Sequence, residues 1–186
     1  MPKKIAVIVG SLRKDSLNRK MARVLLTLAP KDLELEIIEI GQLPHYNQDD
    51  DDEGRPPAQW LDFRDKMKPF DGVLFVTPEY NRSFPGVLKN AIDVGSRPYG
   101  QSIWQGKPGA VISVSPGATG GFGANHHLRQ CLVFLDVPCM QQPEAYIGHA
   151  SKLFNANDEI ENESTHEFIQ KFINSYANWI TVFTQK

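Results

Sequence analysis

Apolar positions follow two rhythms along this chain, and the rhythms take turns. Ile5-Ala6-Val7-Ile8-Val9 is an unbroken apolar run, as expected of a strand covered on both faces. Leu17, Met21, Val24, Leu25 and Leu28 then recur at helical spacing. Leu33-Glu34-Leu35-Glu36-Ile37 alternates apolar with acidic and closes with Ile38 and Ile40, which predicts an edge strand with one side in water. Gly72–Thr77 and Gly109–Ser115 are continuous again. Ala145-Tyr146-Ile147 predicts a last strand, alone or as half of a broken pair with Val137-Pro138-Cys139-Met140. Helices are predicted over 57–68, 85–93 and 124–135. A final helix carries Phe168, Ile169, Phe172, Ile173, Tyr176, Trp179, Ile180 and Phe183, and Ser164-Thr165-His166-Glu167 has the form of a capping box at its start.

Strands alternating with helices predict an α/β fold built on a parallel sheet. The three continuous runs suit interior strands and the alternating one an edge. That predicts a flavodoxin-like three-layer sandwich, its five-stranded parallel sheet in the order 2-1-3-4-5. The chain has 186 residues with no internal repeat or linker, so 1–186 reads as a single domain. It is 41% hydrophobic and 23% charged, which excludes disorder. A net charge of −2 gives no basic face for nucleic acid. Neither a bilayer-spanning stretch nor a cleavable signal after Met1-Pro2-Lys3-Lys4 is present, so a cytoplasmic protein without a membrane partner is expected. Cys131 and Cys139 fit neither a zinc spacing nor a C-x-x-C pair and are expected as reduced, buried thiols. Asp49-Asp50-Asp51-Asp52-Glu53 lacks the spaced ligands of a calcium loop, and a solvated loop is expected over 41–57.

The chemistry is concentrated in Gly10-Ser11-Leu12-Arg13-Lys14-Asp15-Ser16-Leu17-Asn18, between the first strand and the first helix. The first amides of a helix have no intrahelical partners, and its dipole favours an anion there. Ser11, Ser16 and Asn18 add side-chain donors and Arg13 a countercharge. Neither G-x-G-x-x-G nor G-x-x-x-x-G-K-[ST] is present, and a hydroxyl-rich loop suits a phosphate monoester. A capped turn without ligand is the plainer reading. Pro78-Glu79-Tyr80-Asn81 and Ser115–Gly121 follow two interior strands, so the assumed strand order makes the three loops neighbours at the switch-point crevice. Gly121 and Gly123 form only a lone G-x-G. His126 and His127, about 100° apart on a helix, cannot chelate one metal and read as capping or interface groups.

These motifs resemble those of the NAD(P)H-dependent FMN reductases, especially their quinone and chromate reductase branch. The resemblance is carried by the loop at 10–18, by Thr77-Pro78-Glu79-Tyr80-Asn81, and by Pro85-Gly86-x-Leu88-Lys89-Asn90-Ala91-Ile92-Asp93. Gly120-Gly121-Phe122-Gly123-Ala124 with His126, His127, Leu128 and Arg129 completes it. It covers the chain from about Lys4 to Tyr146; Pro116 departs from the family pattern beside the expected ring. The resemblance implies bound FMN, NADPH or NADH as hydride donor, and quinones or chromate as small-molecule acceptors. It further implies ping-pong hydride transfer through flavin N5, and self-association as a homodimer or homotetramer. Ser11, Arg13, Ser16, Leu17 and Asn18 are implied at the phosphate and ribityl end, Pro78, Glu79, Tyr80 and Asn81 along the ring, and Ser115 and Gly117 on its other side. For Glu79 a helix-start or interface ion pair is the competing reading, and for Tyr80 a packing aromatic. Asn90 and Asp93 are expected to organise a loop or a subunit contact, Arg82 and Arg97 to meet NAD(P)H phosphates or pair across an interface. Phe84 and Ile103–Trp104 hint at a subunit interface. A flavodoxin-like electron carrier and a flavin redox sensor acting on a protein partner are the alternatives.

Overall fold

The computed structural model describes residues 1–184. Five parallel strands form its sheet: β1 (Lys3–Val9), β2 (Leu33–Ile38), β3 (Gly72–Thr77), β4 (Gly109–Val114) and β5 (Ala145–Ile147). Their order is β2-β1-β3-β4-β5, as the apolar pattern predicts. The interior strands β3 and β4 are buried at every position, whereas β2 exposes Glu34 and Glu36. The helices are α1 (Leu17–Leu28), α2 (Gln48–Asp52), α3 (Ala58–Met67), α4 (Gly86–Gly95), α5 (Phe122–Phe134) and α6 (Glu163–Thr184), with a 3-10 turn at Ala150–Lys152.

Two apolar layers flank the sheet because successive side chains on a strand point to opposite faces. Ile5, Val7, Leu74 and Val76 pack with Met21 and Leu25 of α1 and with Ile169, Phe172 and Ile173 of α6. Ala6, Ile8, Val73 and Phe75 pack with Trp60 and Phe63 of α3, Leu88 and Ile92 of α4, and Leu128 and Leu132 of α5. Tyr176 joins α6 to the sheet, its hydroxyl donating to Val73 O at 2.9 Å and lying 3.1 Å from Pro108 O. Among the described residues no helix is long and apolar enough to cross a membrane.

Three local expectations are corrected. The acidic run is not a loop: Asp49–Asp52 lie in α2, whose Asp51 side chain is 4% exposed and makes two hydrogen bonds with Arg64, at 2.8 and 2.7 Å. Burial of the Arg64 guanidinium on α3 pulls the carboxylate inward, which outweighs repulsion within the run. The start of α6 is capped by Asn162 rather than by a Ser164–Glu167 box, since Asn162 Oδ1 accepts the Thr165 N–H at 2.9 Å and the Ser164 hydroxyl at 2.8 Å. Phe84, Ile103 and Trp104 form no exposed patch. All are buried, Trp104 packing on Phe63 and Phe75 with its indole N–H donating to Ile92 O at 2.9 Å.

Candidate active site

The loops after β1, β3 and β4 meet at the carboxyl end of the sheet. Gly10 N–H donates to Val76 O at 2.9 Å, joining the ends of β1 and β3. Asn18 Nδ2 donates to Val114 O at 3.2 Å, joining the start of α1 to the end of β4. Glu79 Oε2 accepts the Ala124 N–H at 3.0 Å, joining the loop after β3 to the start of α5.

At the first loop, Ser16 is the α1 N-cap, its Oγ accepting the Arg19 N–H at 3.2 Å. Ser11, Ser16 and Asn18 are buried, Leu17 is half-buried, and Arg13 is exposed. The backbone N–H groups from Ser11 to Asn18 meet no protein acceptor among the described residues. A row of free amides at a helix start is the setting an oxyanion requires. Asn18 Oδ1 is buried and also without a partner. It is an acceptor, because Nδ2 is committed to a carbonyl, and a phosphate brings no proton to it. A hydroxyl does. The loop therefore fits a ligand with a phosphate next to a polyol chain, which is the tail of FMN.

The second loop turns tightly: Tyr80 N–H donates to Ser83 O at 2.8 Å and Ser83 N–H to Tyr80 O at 3.0 Å. Asn81 and Arg82 at its tip have φ of 52° and 66°. Pro78 is buried, Asn81 exposed, and the Tyr80 ring 47% exposed, a surface rather than a core position. The Glu79 carboxylate points to α5 and lies 3.5 Å from the Arg82 guanidinium, which matches the helix-start reading of this residue. In the third loop Gly117 N–H donates to Ser115 Oγ at 3.2 Å.

A brace behind this third loop escapes sequence reading. Ser115 N–H donates to Ile147 O, His149 N–H to Gly117 O and Ala150 N–H to Ser115 O, at 2.9, 3.2 and 3.1 Å. Gly120, with φ of 61°, lies so close that a Cβ there would come 2.5 Å from Tyr146 C. Tyr146, Gly148 and His149 carry no motif. His126 Nε2 shares a hydrogen bond with Tyr146 Oη at 2.8 Å and His127 Nδ1 with Ser83 Oγ at 2.8 Å, so the histidines serve as structural partners. Burial, helped by Glu144, pushes the Tyr146 phenol up to about 12. Burial likewise raises both Cys131 and Cys139, free thiols that stay protonated rather than offering a thiolate. Asn90 anchors residues 43–46 through Tyr46 N–H, Leu43 O and Pro44 O, while Asp93 pairs with Lys89 at 2.7 Å. The Arg97 guanidinium lies over the Tyr99 ring. Among the described residues no acidic, histidine or cysteine cluster could hold a metal.

A concavity of about 660 Å³ runs along Arg23–Leu28 and Asn155–Glu161 and includes none of the residues assigned to the ligand. A smaller concavity of about 110 Å³ lies at the first loop, lined in part by Lys14, Asp15, Ser16 and Arg19, and chemistry rather than enclosure marks the site.

The profile described as NADPH-dependent FMN reductase matches residues 3–152. The chain is similar to a quinone reductase of Pseudomonas putida, 62% identical over 176 residues covering 95% of this chain and 94% of that one. It is similar to a 2-hydroxy-1,4-benzoquinone reductase of a Burkholderia species, 49% identical and covering 97% of each. Among solved structures it resembles FerB, a flavoenzyme NAD(P)H:(acceptor) oxidoreductase from Paracoccus denitrificans, with a TM-score of 0.91 and 45% identity over 97% of this chain and 98% of that one.

Proposed function

Because the chain belongs to the NADPH-dependent FMN reductase family, we propose that it is an FMN-containing NAD(P)H:quinone oxidoreductase with its site in the crevice above β1, β3 and β4. When bound, FMN would supply the two-electron chemistry between NAD(P)H and a quinone. The observation that carries the reading is the first loop: free amides from Ser11 to Asn18 for a phosphate, beside the unpartnered acceptor Asn18 Oδ1 for a ribityl hydroxyl.

Ser11, Ser16 and Asn18 hold the tail, Leu17 closes its apolar side, and Arg13 adds positive charge from solvent. Pro78 to Asn81 would line the ring, where the Glu79 and Asn81 N–H groups, which meet no protein acceptor among the described residues, are the donors available to the negative charge that grows on reduction. Ser115 and Gly117 flank the other side. Tyr80 is exposed at this loop, and donor and acceptor would use the same solvent-open position in turn, giving ping-pong kinetics. Chromate is reduced at the same face as a further small oxidant. The chain works as one domain, assembled as a homodimer or homotetramer in the cytoplasm.

Purified protein should be yellow, with FMN released on denaturation. Anaerobic NADPH or NADH should bleach it rapidly, and benzoquinone should restore the colour and sustain turnover with parallel double-reciprocal lines. A carrier would bind FMN but resist bleaching by NAD(P)H. Protein that stays colourless in excess FMN overturns the reading.

A further inference from the structure

We infer that Glu79 and Ser83 are positioning residues: they clamp the turn at 79–83 onto the first turns of α5, and this clamp sets the ring end of the crevice. The inference rests on the FMN reading above. The turn is a two-residue connection whose tip residues, Asn81 and Arg82, both have positive φ. Such a turn takes asparagine or glycine at the first place and glycine at the second, so Asn81 suits it and the strain falls on Arg82. Two backbone hydrogen bonds between Tyr80 and Ser83 close it at a solvent-facing position. A strained, exposed hairpin of this size needs outside support to keep one geometry.

That support comes from α5. Its N-cap is Gly121, which has no side chain to offer the free amides, and the helix carries no acidic residue in its first turn. Glu79 fills both roles from another loop: Oε2 accepts the Ala124 N–H at 3.0 Å, placing a carboxylate at the positive end of the helix. Although the turn is exposed, the Glu79 side chain is 12% exposed. One turn further along α5, His127 Nδ1 meets Ser83 Oγ at 2.8 Å, and the His127 ring packs edge-on against Phe84. The approach is close enough that a Cβ on Gly123 would lie 3.0 Å from Glu79 Oε2 and 3.1 Å from Arg82 O. Residues 115–121 lead directly into α5, so one carboxylate couples both loops assigned to the flavin ring. Glu79 acts through the backbone it holds and not by touching the ligand with its side chain.

The test measures FMN affinity of the apoprotein by fluorescence quenching and the visible-region circular dichroism of bound flavin, alongside thermal midpoints. Glu79→Ala should weaken FMN binding about tenfold and change the visible dichroism, the size expected for losing a charge-assisted hydrogen bond. Glu79→Gln, whose amide oxygen can still accept from Ala124, should stay within about threefold of the parent. Ser83→Ala, which removes the second tether, should weaken binding about threefold and serves if Glu79→Ala does not fold. Tyr176→Phe removes a hydroxyl bonded at the amino-terminal ends of β3 and β4, opposite the crevice, and should lower the melting temperature with neither flavin readout moved. The inference is overturned if Glu79→Ala, or Ser83→Ala in its place, binds FMN within twofold of the parent with unchanged dichroism. It is also overturned if Tyr176→Phe moves both flavin readouts equally. A parent protein that binds no FMN brings down the FMN reading itself, a separate result.

Discussion

Asp51 is one of five consecutive acidic residues, yet its side chain is 4% exposed while the Glu53 side chain at the end of the run is 52% exposed. The difference is Arg64, whose guanidinium meets both carboxylate oxygens of Asp51 while its Nε donates to Val94 O at 2.9 Å. Removing one member leaves the other charged and out of water. Asp51→Ala should therefore lower stability by about 3 kcal/mol, read as a shifted urea midpoint at constant slope. Replacing both, as Asp51→Leu with Arg64→Met, should recover much of that loss, because a buried pair and well-packed apolar groups are close in free energy. Asp49→Ala, which breaks no side-chain hydrogen bond or ion pair, should move stability by less than about 0.5 kcal/mol.

At the level of elements, α1 and α6 show how one polar side chain can serve either fold or site. Ser16 caps α1 and also faces the free amides. Ser16→Ala should cost about 1 kcal/mol of apoprotein stability and weaken FMN binding as well, measured by thermal unfolding and fluorescence titration. Tyr176 fastens α6 between β3 and β4 through Val73 O and Pro108 O. Burial pushes its phenol well above the ordinary value of 10.0, so the protein folds with the neutral form. The stability this contributes is complete below pH 10.0 and is lost as pH rises toward the raised folded value, because only the unfolded chain ionises freely there. Tyr176→Phe should lose about 1 kcal/mol at neutral pH yet show a shallower decline above pH 10.0, in denaturation series run across the alkaline range.

For the molecule as a whole, the proposed site links binding to folding, because its three loops are brought together only by the assembled sheet. FMN at about a hundred times its dissociation constant should add about 2.7 kcal/mol and raise the melting temperature by about 5–10 °C, checked by calorimetry with and without the ligand. The sheet order could be foreseen because burial writes itself into local pattern: continuous apolar runs for β1, β3 and β4, alternation for the edge strand β2. The first loop was legible for a similar reason, since a helix start with hydroxyls and no fingerprint glycines is a feature of nine adjacent residues, 10–18. Trp104 in the core, Asn162 rather than Ser164 at the cap, and the directions taken by Asp51 and Glu79 were not legible in that way. Strand and helix periods depend on neighbours a few residues off, and the chain's own spelling states them. The environment of a charge or a large ring depends on partners 13 residues away for Asp51 with Arg64 and 45 for Glu79 with Ala124, and packing alone selects those partners.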